Sequence, residues 1–354
     1  MGCVPSSQQV HTETSSNMAW QQAVKGETLV AALTRLDEEI ASSERTHPAA
    51  RLAVVTAELA SIQQEIKSFE ETTPSSSKDN YAKTIHQIFV SLDLYRRPML
   101  ATENEDFVAN VNRKEMRRLE LSWLRVRFVE LQRERRTLHA QILRTRSLYA
   151  QLQQLLDSVW SDTLRPGTPL EDALGRARAL RDALAGVSAR LRAAAEYAHA
   201  AVRLLDDGLP AWKLSAVGKN GWERTAACAD ACRLLVQARC LERGARRVLS
   251  APAAPRAART LRLALDYAFT DTLHDYKYQR ATEIFVQFKE ALVQLINSIH
   301  QVLLNNMENL SLATKDVAKQ RRELRAARVN AIASKGLAEL RYEPAAANGV
   351  KIRQ

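Results

Sequence analysis

The chain is poor in the residues that interrupt helices. Its 354 residues include 11 glycines and 10 prolines, whereas average usage is about 7% and 5%. Neither residue occurs from Lys114 to Arg165, and neither occurs from Arg256 to Lys335. Because glycine and proline are the residues that most disfavour a helix interior, we expect long uninterrupted helices in both stretches.

Other features are missing as well. Four cysteines in 354 residues are too few for a disulfide framework. No window of about 18 apolar residues argues for a transmembrane helix. The first residues lack the basic segment and the apolar core of a secretory signal. We therefore expect an intracellular, cytoplasmic protein.

Apolar residues recur at helical spacing, and no segment shows the alternation typical of a strand. We predict an all-α fold, an elongated antiparallel helical bundle or coiled coil of about seven helices, three of them long. The predicted helices cover residues 19–43, 49–71, 81–97, 111–160, 170–207, 222–249 and 256–340. The last helix has a predicted kink near Thr270–Asp275. A connector is predicted at 208–221, and short breaks at 164–169 and 250–255 favour hairpins.

The helix at 111–160 has the most regular pattern. Its apolar positions alternate at spacings of three and four, as in a coiled coil, with Arg135 as a cationic interruption. For the whole chain we predict a flexible acylated leader at 1–18, a three-helix segment at 19–98, a long-helix bundle at 99–343 and a disordered tail at 344–354.

The first six residues, Met1 to Ser6, match the N-myristoylation pattern Met-Gly-x-x-x-Ser/Thr. Gly2 is the candidate myristoylation site, and Cys3 beside it is a candidate palmitoylation site. The hexapeptide resembles the dually acylated N-termini of Src-type tyrosine kinases and G-protein α subunits. The resemblance covers these residues alone and implies peripheral attachment to the cytoplasmic face of a membrane. One myristoyl chain binds membranes only marginally, so a second signal is expected.

Basic charge is the candidate second signal. The net charge is +11, yet residues 1–110 hold nine Lys/Arg against fifteen Asp/Glu, so the cations concentrate further along the chain. A predicted membrane-facing basic surface comprises Arg113, Lys114, Arg117, Arg118, Arg125, Arg133, Arg136, Lys319, Arg321, Arg322, Arg325 and Arg328. Three interpretations stay open: a solvated helix face, a surface for anionic lipid, or a surface for nucleic acid. No nucleic-acid motif accompanies these residues, so nucleic acid is the least favoured partner.

The remaining motifs indicate no chemistry. Cys228, Cys232 and Cys240 share one predicted helix without a second ligand pair, which favours buried thiols over a zinc site. The seven histidines are scattered singly. Residues 217–221 carry a glycine-lysine pair but lack the strand and spacing of a phosphate loop. We therefore predict no cofactor, no metal site and no enzymatic activity.

Together these features predict a lipid-anchored peripheral membrane scaffold or adaptor that binds anionic lipid and protein partners. Three long helices, basic charge and a lipidated start are similar in outline to BAR-type membrane-shaping dimers, so a homodimer is one version of this prediction. The alternative is a soluble coiled-coil protein that associates with nucleic acid or the cytoskeleton through basic helix faces.

Overall fold

The computed structural model describes residues 27–72, 81–160, 165–251 and 255–340. Their regular structure is helical without strands, which confirms the all-α prediction. The helices are α1 (Leu29–Glu44), α2 (Pro48–Thr72), α3 (Tyr81–Ser91), α4 (Met99–Glu103), α5 (Glu105–Val159), α6 (Thr168–Val217), α7 (Gly221–Leu249), α8 (Pro255–Asp271) and α9 (Asp275–Ser334).

The predicted connector at 208–221 is wrong over most of its length. Helix α6 continues to Val217 through Gly208 and Pro210. Tertiary packing explains the difference. Trp212 is fully buried, stacks on the ring of Tyr278 with centroids 5.1 Å apart, and donates its indole N–H to Thr282 at 2.7 Å. Burial of a tryptophan outweighs the cost of one proline in a helix.

The junction that remains is short and well capped. The Asn220 side chain accepts the backbone N–H of Glu223 at 2.8 Å and caps the start of α7. The Glu223 carboxylate accepts the N–H of Lys219, the residue before the N-cap, at 2.8 Å. The Tyr95 hydroxyl donates to the carbonyl of Gly221 at 2.8 Å. A Cβ at position 221 would lie 2.7 Å from the Tyr95 ring, so only glycine fits this position.

Two other predicted helices are shorter than expected. Helix α3 ends at Ser91, and turns follow, with Asp93 in the left-handed region at φ 53°. The predicted helix at 256–340 is divided into α8 and α9 at residues 272–274, where a kink was expected. The hydroxyl of Thr272 bonds back to the carbonyl of Phe269 at 2.8 Å, a local hydrogen bond that competes with helix continuation. Residues 19–26 of the first predicted helix lie outside the described residues.

The described residues group into two compact units. Among the described residues, unit 1 contains 27–49, 138–160, 165–183 and 310–340, and unit 2 contains 50–72, 81–137, 184–251 and 255–309. The long helices α5, α6 and α9 contribute residues to both units. The main apolar core of unit 1 packs Leu33, Leu36 and Ile40 of α1 against Leu155 and Trp160.

Helix α7 lies at the centre of the core of unit 2. Its Cys228, Cys232, Leu235 and Val236 are at most 1% exposed, and residues from α3, α5, α6, α8 and α9 surround them. Asn112 is a fully buried polar residue in this unit, and its amide donates to the carbonyls of Leu265 and Asp266 at 2.7 and 3.1 Å. Since its hydrogen bonds are satisfied, its burial carries little penalty.

Candidate functional site

Both predicted acylation sites, Gly2 and Cys3, lie outside the described residues, as do the tail residues 344–354. The acylation of Gly2 and Cys3 therefore stays a prediction from the sequence motif.

The predicted basic residues of α5 fall into two groups. Three of them form ion pairs within unit 2. Arg113 contacts Asp266 at 2.9 Å, Arg118 contacts Glu115 at 2.9 Å, and Arg125 contacts Glu70 at 2.6 Å. Lys114, Arg117, Arg133 and Arg136 are exposed and have no ion-pair partner among the described residues. Arg135, which the heptad pattern placed on the helix seam, is also exposed.

Exposed arginines and exposed valines share one side of α5. Val126 and Val129 are exposed by 59% and 45% respectively and lie three residues apart on α5, so together they form a small apolar patch. With 3.6 residues per turn, three arginines lie on the same side of the helix as these valines. We call this surface the basic α5 face, and its members are Arg125, Val126, Val129, Arg133 and Arg136. The nearest acids, Glu130 and Glu134, pair with Arg127 and Arg51.

Three residues of the predicted C-terminal basic set are turned inward, and their assignment to a membrane-facing surface is corrected. Arg321 is only 6% exposed and lies in the interior of unit 1. Arg325 contacts Glu38 at 3.3 Å, and Arg328 pairs with Glu171. Lys319 and Arg322 are exposed and have no ion-pair partner among the described residues. The inward arginines hold helices together instead of forming a surface.

The interior of unit 1 contains an ion cluster centred on Glu44 of α1. The Glu44 carboxylate accepts hydrogen bonds from Arg181 at 2.9 Å and from Arg321 at 3.0 Å, and a third from the Tyr149 hydroxyl. Burial acts to raise the pKa of Glu44, but the Tyr149 hydrogen bond and the surrounding arginines lower it below its ordinary value. For Asp37, burial outweighs the nearby arginines and raises the pKa. The cluster attaches α1 to α5, α6 and α9 within unit 1.

Unit 2 contains a cleft of about 940 Å³ that no sequence motif indicates. Helices α5, α7, α8 and α9 supply most of its lining. Arginines from three different helices lie along it. The buried Glu120 of α5 contacts Arg243 at 3.3 Å and also pairs with Arg239. Arg243 further contacts Glu65 at 3.4 Å.

The three described cysteines are buried thiols. Cys228, Cys232 and Cys240 are at most 2% exposed, and burial raises the pKa of Cys240 to about 11. In the part of the chain that the structure describes, no three His, Cys, Asp or Glu side chains are grouped as metal ligands would be. Two histidines that are distant in sequence do meet, since the Nε2 atoms of His199 and His300 are 3.2 Å apart on the surface of unit 2.

None of the helices within the described ranges combines the length and the apolar composition that a membrane-spanning segment requires. Comparisons of the chain with protein-family models, curated proteins and solved structures find no match.

Proposed function

We propose that this chain is a non-catalytic, lipid-anchored peripheral membrane scaffold. The observation that carries the proposal is the acylation motif of the first six residues, with Gly2 as the myristoyl acceptor and Cys3 as the palmitoyl acceptor. A myristoyl chain alone gives reversible binding with an association constant of about 10⁴ M⁻¹, so a second contact with the membrane is part of the proposal.

The basic α5 face supplies that contact. Each lysine or arginine near an anionic leaflet contributes about 1 kcal/mol to binding. Arg133 and Arg136 have no ion-pair partner among the described residues, and Arg125 has only the exposed Glu70. The neighbouring Val126 and Val129 are suited to the region where head groups meet acyl chains. A basic face with exposed apolar side chains favours lipid over nucleic acid, because phosphate contacts of nucleic acid make no use of the valines.

The long helices are proposed to pack as an antiparallel bundle or coiled coil and to bind protein partners, including a second copy of the chain. Support comes from buried polar residues and from exposed apolar ones. Asn306 donates to the carbonyl of Leu184 at 3.0 Å and to Ser188 at 2.8 Å, as a residue that sets helix register would. Val293, Leu304 and Met307 share one stripe of α9 and are exposed, which suits a partner helix.

The test is flotation of the full-length chain, produced with an N-myristoyltransferase, on phosphatidylcholine vesicles with and without phosphatidylserine. Wild-type protein is expected to float, and Gly2→Ala is expected to stay at the bottom of the gradient. Arg133→Gln/Arg136→Gln should weaken binding roughly tenfold to thirtyfold on anionic vesicles only. Arg135→Gln, an exposed cation on another side of α5, is the matched control.

Equal flotation of wild type and Gly2→Ala would disprove acylation as the anchor. Equal effects of Arg135→Gln and the double variant would disprove the basic α5 face as the lipid contact. Retention of the wild type by duplex DNA in preference to anionic vesicles would favour the alternative, a basic coiled-coil protein that associates with nucleic acid.

A further inference from the structure

The cleft of unit 2 has the size of a ligand site. Its volume of about 940 Å³ lies at the upper end of the roughly 300–1,000 Å³ that small-molecule sites occupy. Its walls come from helices, since residues of α5, α7, α8 and α9 line it, with Phe69 of α2 at one side. Walls built on helices hold their side chains in defined positions, so the cleft is a preformed site.

Several of the most buried residues of the cleft are apolar, although the carboxylate of Glu120 is buried there as well. Met116, Leu261 and Leu292 line it and are at most 4% exposed. The half-buried Phe288 and Leu295 continue this surface on α9. An apolar floor gains free energy when a hydrocarbon group covers it. A bare phosphate or another small inorganic ion would leave it uncovered.

The polar residues of the cleft carry an excess of positive charge. Seven arginines and three carboxylates line it, so four positive charges are in excess. The arginines are Arg113, Arg117, Arg239, Arg243, Arg246, Arg259 and Arg262, and the carboxylates are Glu120, Glu242 and Asp266.

The distribution of ion pairs among the described residues leaves three arginines of the cleft without a carboxylate partner. Glu120 is shared by Arg239 and Arg243, Glu242 pairs with Arg246, and Asp266 pairs with Arg113. The remaining arginines are Arg117, Arg259 and Arg262, which are exposed and have no ion pair among the described residues. Two of them lie on α8, one turn apart, and are placed to bind one anionic group together.

Two further polar atoms lack partners. The Nε atoms of Arg239 and Arg243 are buried and make no hydrogen bond in the structure. Both side chains line the cleft. Because these two Nε atoms are buried behind the surface of the cleft, the exposed arginines are the ones placed to meet an anionic group.

We infer that the cleft binds a single-chain anionic amphiphile, a lipid with one phosphate or carboxylate head group and one hydrocarbon chain. The head group binds Arg117, Arg259 and Arg262, and the chain packs on Met116, Leu261 and Leu292. The ligand is a monomeric lipid in solution rather than a bilayer, because the apolar floor is recessed below the arginines. This site is independent of the acylation motif and of the basic α5 face.

The test uses the full-length chain made without N-myristoyltransferase, so that acylation plays no part. Binding of lysophosphatidate below its micelle concentration is measured by isothermal titration calorimetry. The zwitterionic lysophosphatidylcholine with the same chain and inorganic phosphate serve as comparison ligands. We expect saturable binding of lysophosphatidate, at least about tenfold weaker binding of lysophosphatidylcholine, and none of phosphate.

Variants locate the site. Arg259→Gln/Arg262→Gln is expected to weaken lysophosphatidate binding at least about tenfold. Arg256→Gln is the matched control, since Arg256 is exposed on the same helix but does not line the cleft. Ala291→Trp fills the cleft from an exposed position on its wall and is expected to abolish binding while leaving the unfolding transition in place.

Three results with the wild-type chain would overturn the inference: no saturable binding, equal affinity for the two lysolipids, or phosphate binding as tight as that of lysophosphatidate. Two results with the variants would also overturn it. These are an Arg256→Gln effect equal to that of the double variant, and full binding by a folded Ala291→Trp protein. None of these results bears on vesicle flotation of the acylated chain, so this inference and the proposed function fail separately.

Discussion

The two units use arginine in opposite ways. In unit 1, Arg181 and Arg321 are buried beneath α1 and share the carboxylate of Glu44, while Asp182 and Asp37 supply a second carboxylate to each of them. In unit 2, arginines line an open cleft, where Glu120 is buried but three other cations have no carboxylate beside them. An arginine on a helix face therefore has no fixed role. What matters is whether a neighbouring element supplies a carboxylate and excludes water.

Glu44→Gln is expected to have the largest effect on the stability of the protein. It leaves Arg181 and Arg321, whose side chains are 8% and 7% exposed, without their shared carboxylate. Removing one partner of a buried ion pair costs about 3–5 kcal/mol of unfolding free energy. Urea unfolding followed by circular dichroism measures this loss. Glu38→Gln, on the same helix with a side chain 68% exposed, should change stability by less than about 0.5 kcal/mol. Superimposable unfolding curves for Glu44→Gln and wild type would contradict the account.

The equivalent substitution in unit 2, Glu120→Gln, should lower the free energy of unfolding by a smaller amount. Glu120→Gln removes a buried carboxylate from Arg239 and Arg243, but water in the open cleft can solvate the two cations. We expect a loss of about 1–3 kcal/mol in the same urea experiment. Glu130→Gln, an exposed acid on α5, is the control. A loss as large as that of Glu44→Gln would mean that the cleft is closed to water.

A pH series tests a third buried carboxyl, Asp271 at the end of α8. Burial raises its pKa from 3.8 to about 7, with a further contribution from Glu105. The folded protein therefore holds a proton that the unfolded chain has released, and stability falls as pH rises from about 4 to about 7. Asp271→Asn removes this dependence, so its stability relative to wild type should increase by at least about 1 kcal/mol between pH 5 and pH 8.

Urea unfolding at both pH values measures that difference. Asp275→Asn removes an exposed negative charge close to Asp271 in sequence and is the matched control. If the free energy of unfolding changes by the same amount between the two pH values in Asp271→Asn and in wild type, Asp271 ionises alike in the folded and unfolded states.

The smallest effect is expected at the cysteines. Cys228, Cys232 and Cys240 are buried in the core of unit 2, and only a thiolate reacts with iodoacetamide. We expect these positions to stay unmodified in native buffer and to react in urea, as peptide mapping would record. Native alkylation of Cys240 at its unfolded rate would show that the core around α7 opens readily.

Local patterns were sufficient to predict both bounds of two helices, but they missed the short helix α4. The scarcity of glycine and proline and the apolar periodicity placed α2 and α7 within about two residues of their bounds, since both signals act within a few turns. They were insufficient at Gly208 and Pro210, where local preference favours a break but Trp212 packs into the core and keeps α6 helical. The kink expected near 270–275 proved to be a complete break, where the hydroxyls of Thr270 and Thr272 donate to the backbone carbonyls of Tyr267 and Phe269.

The sequence indicated one of the candidate sites but not the other. Arg133 and Arg136 are exposed, and their contact with lipid stays a proposal. The cleft arose from residues of four helices, and no motif joins Arg117 to Arg259 and Arg262.

By itself, the sequence determined that this chain is helical and gave the bounds of α2 and α7, because helix formation depends on residues a few positions apart. Only the tertiary structure decided which arginines are buried. Arg321 and Arg322 are neighbours in a uniformly basic stretch, yet one is buried and the other exposed. The carboxylate that binds Arg321 is Glu44, 277 residues away along the chain. A residue's charge is set by its own chemistry, but its partner is set by which helices pack together.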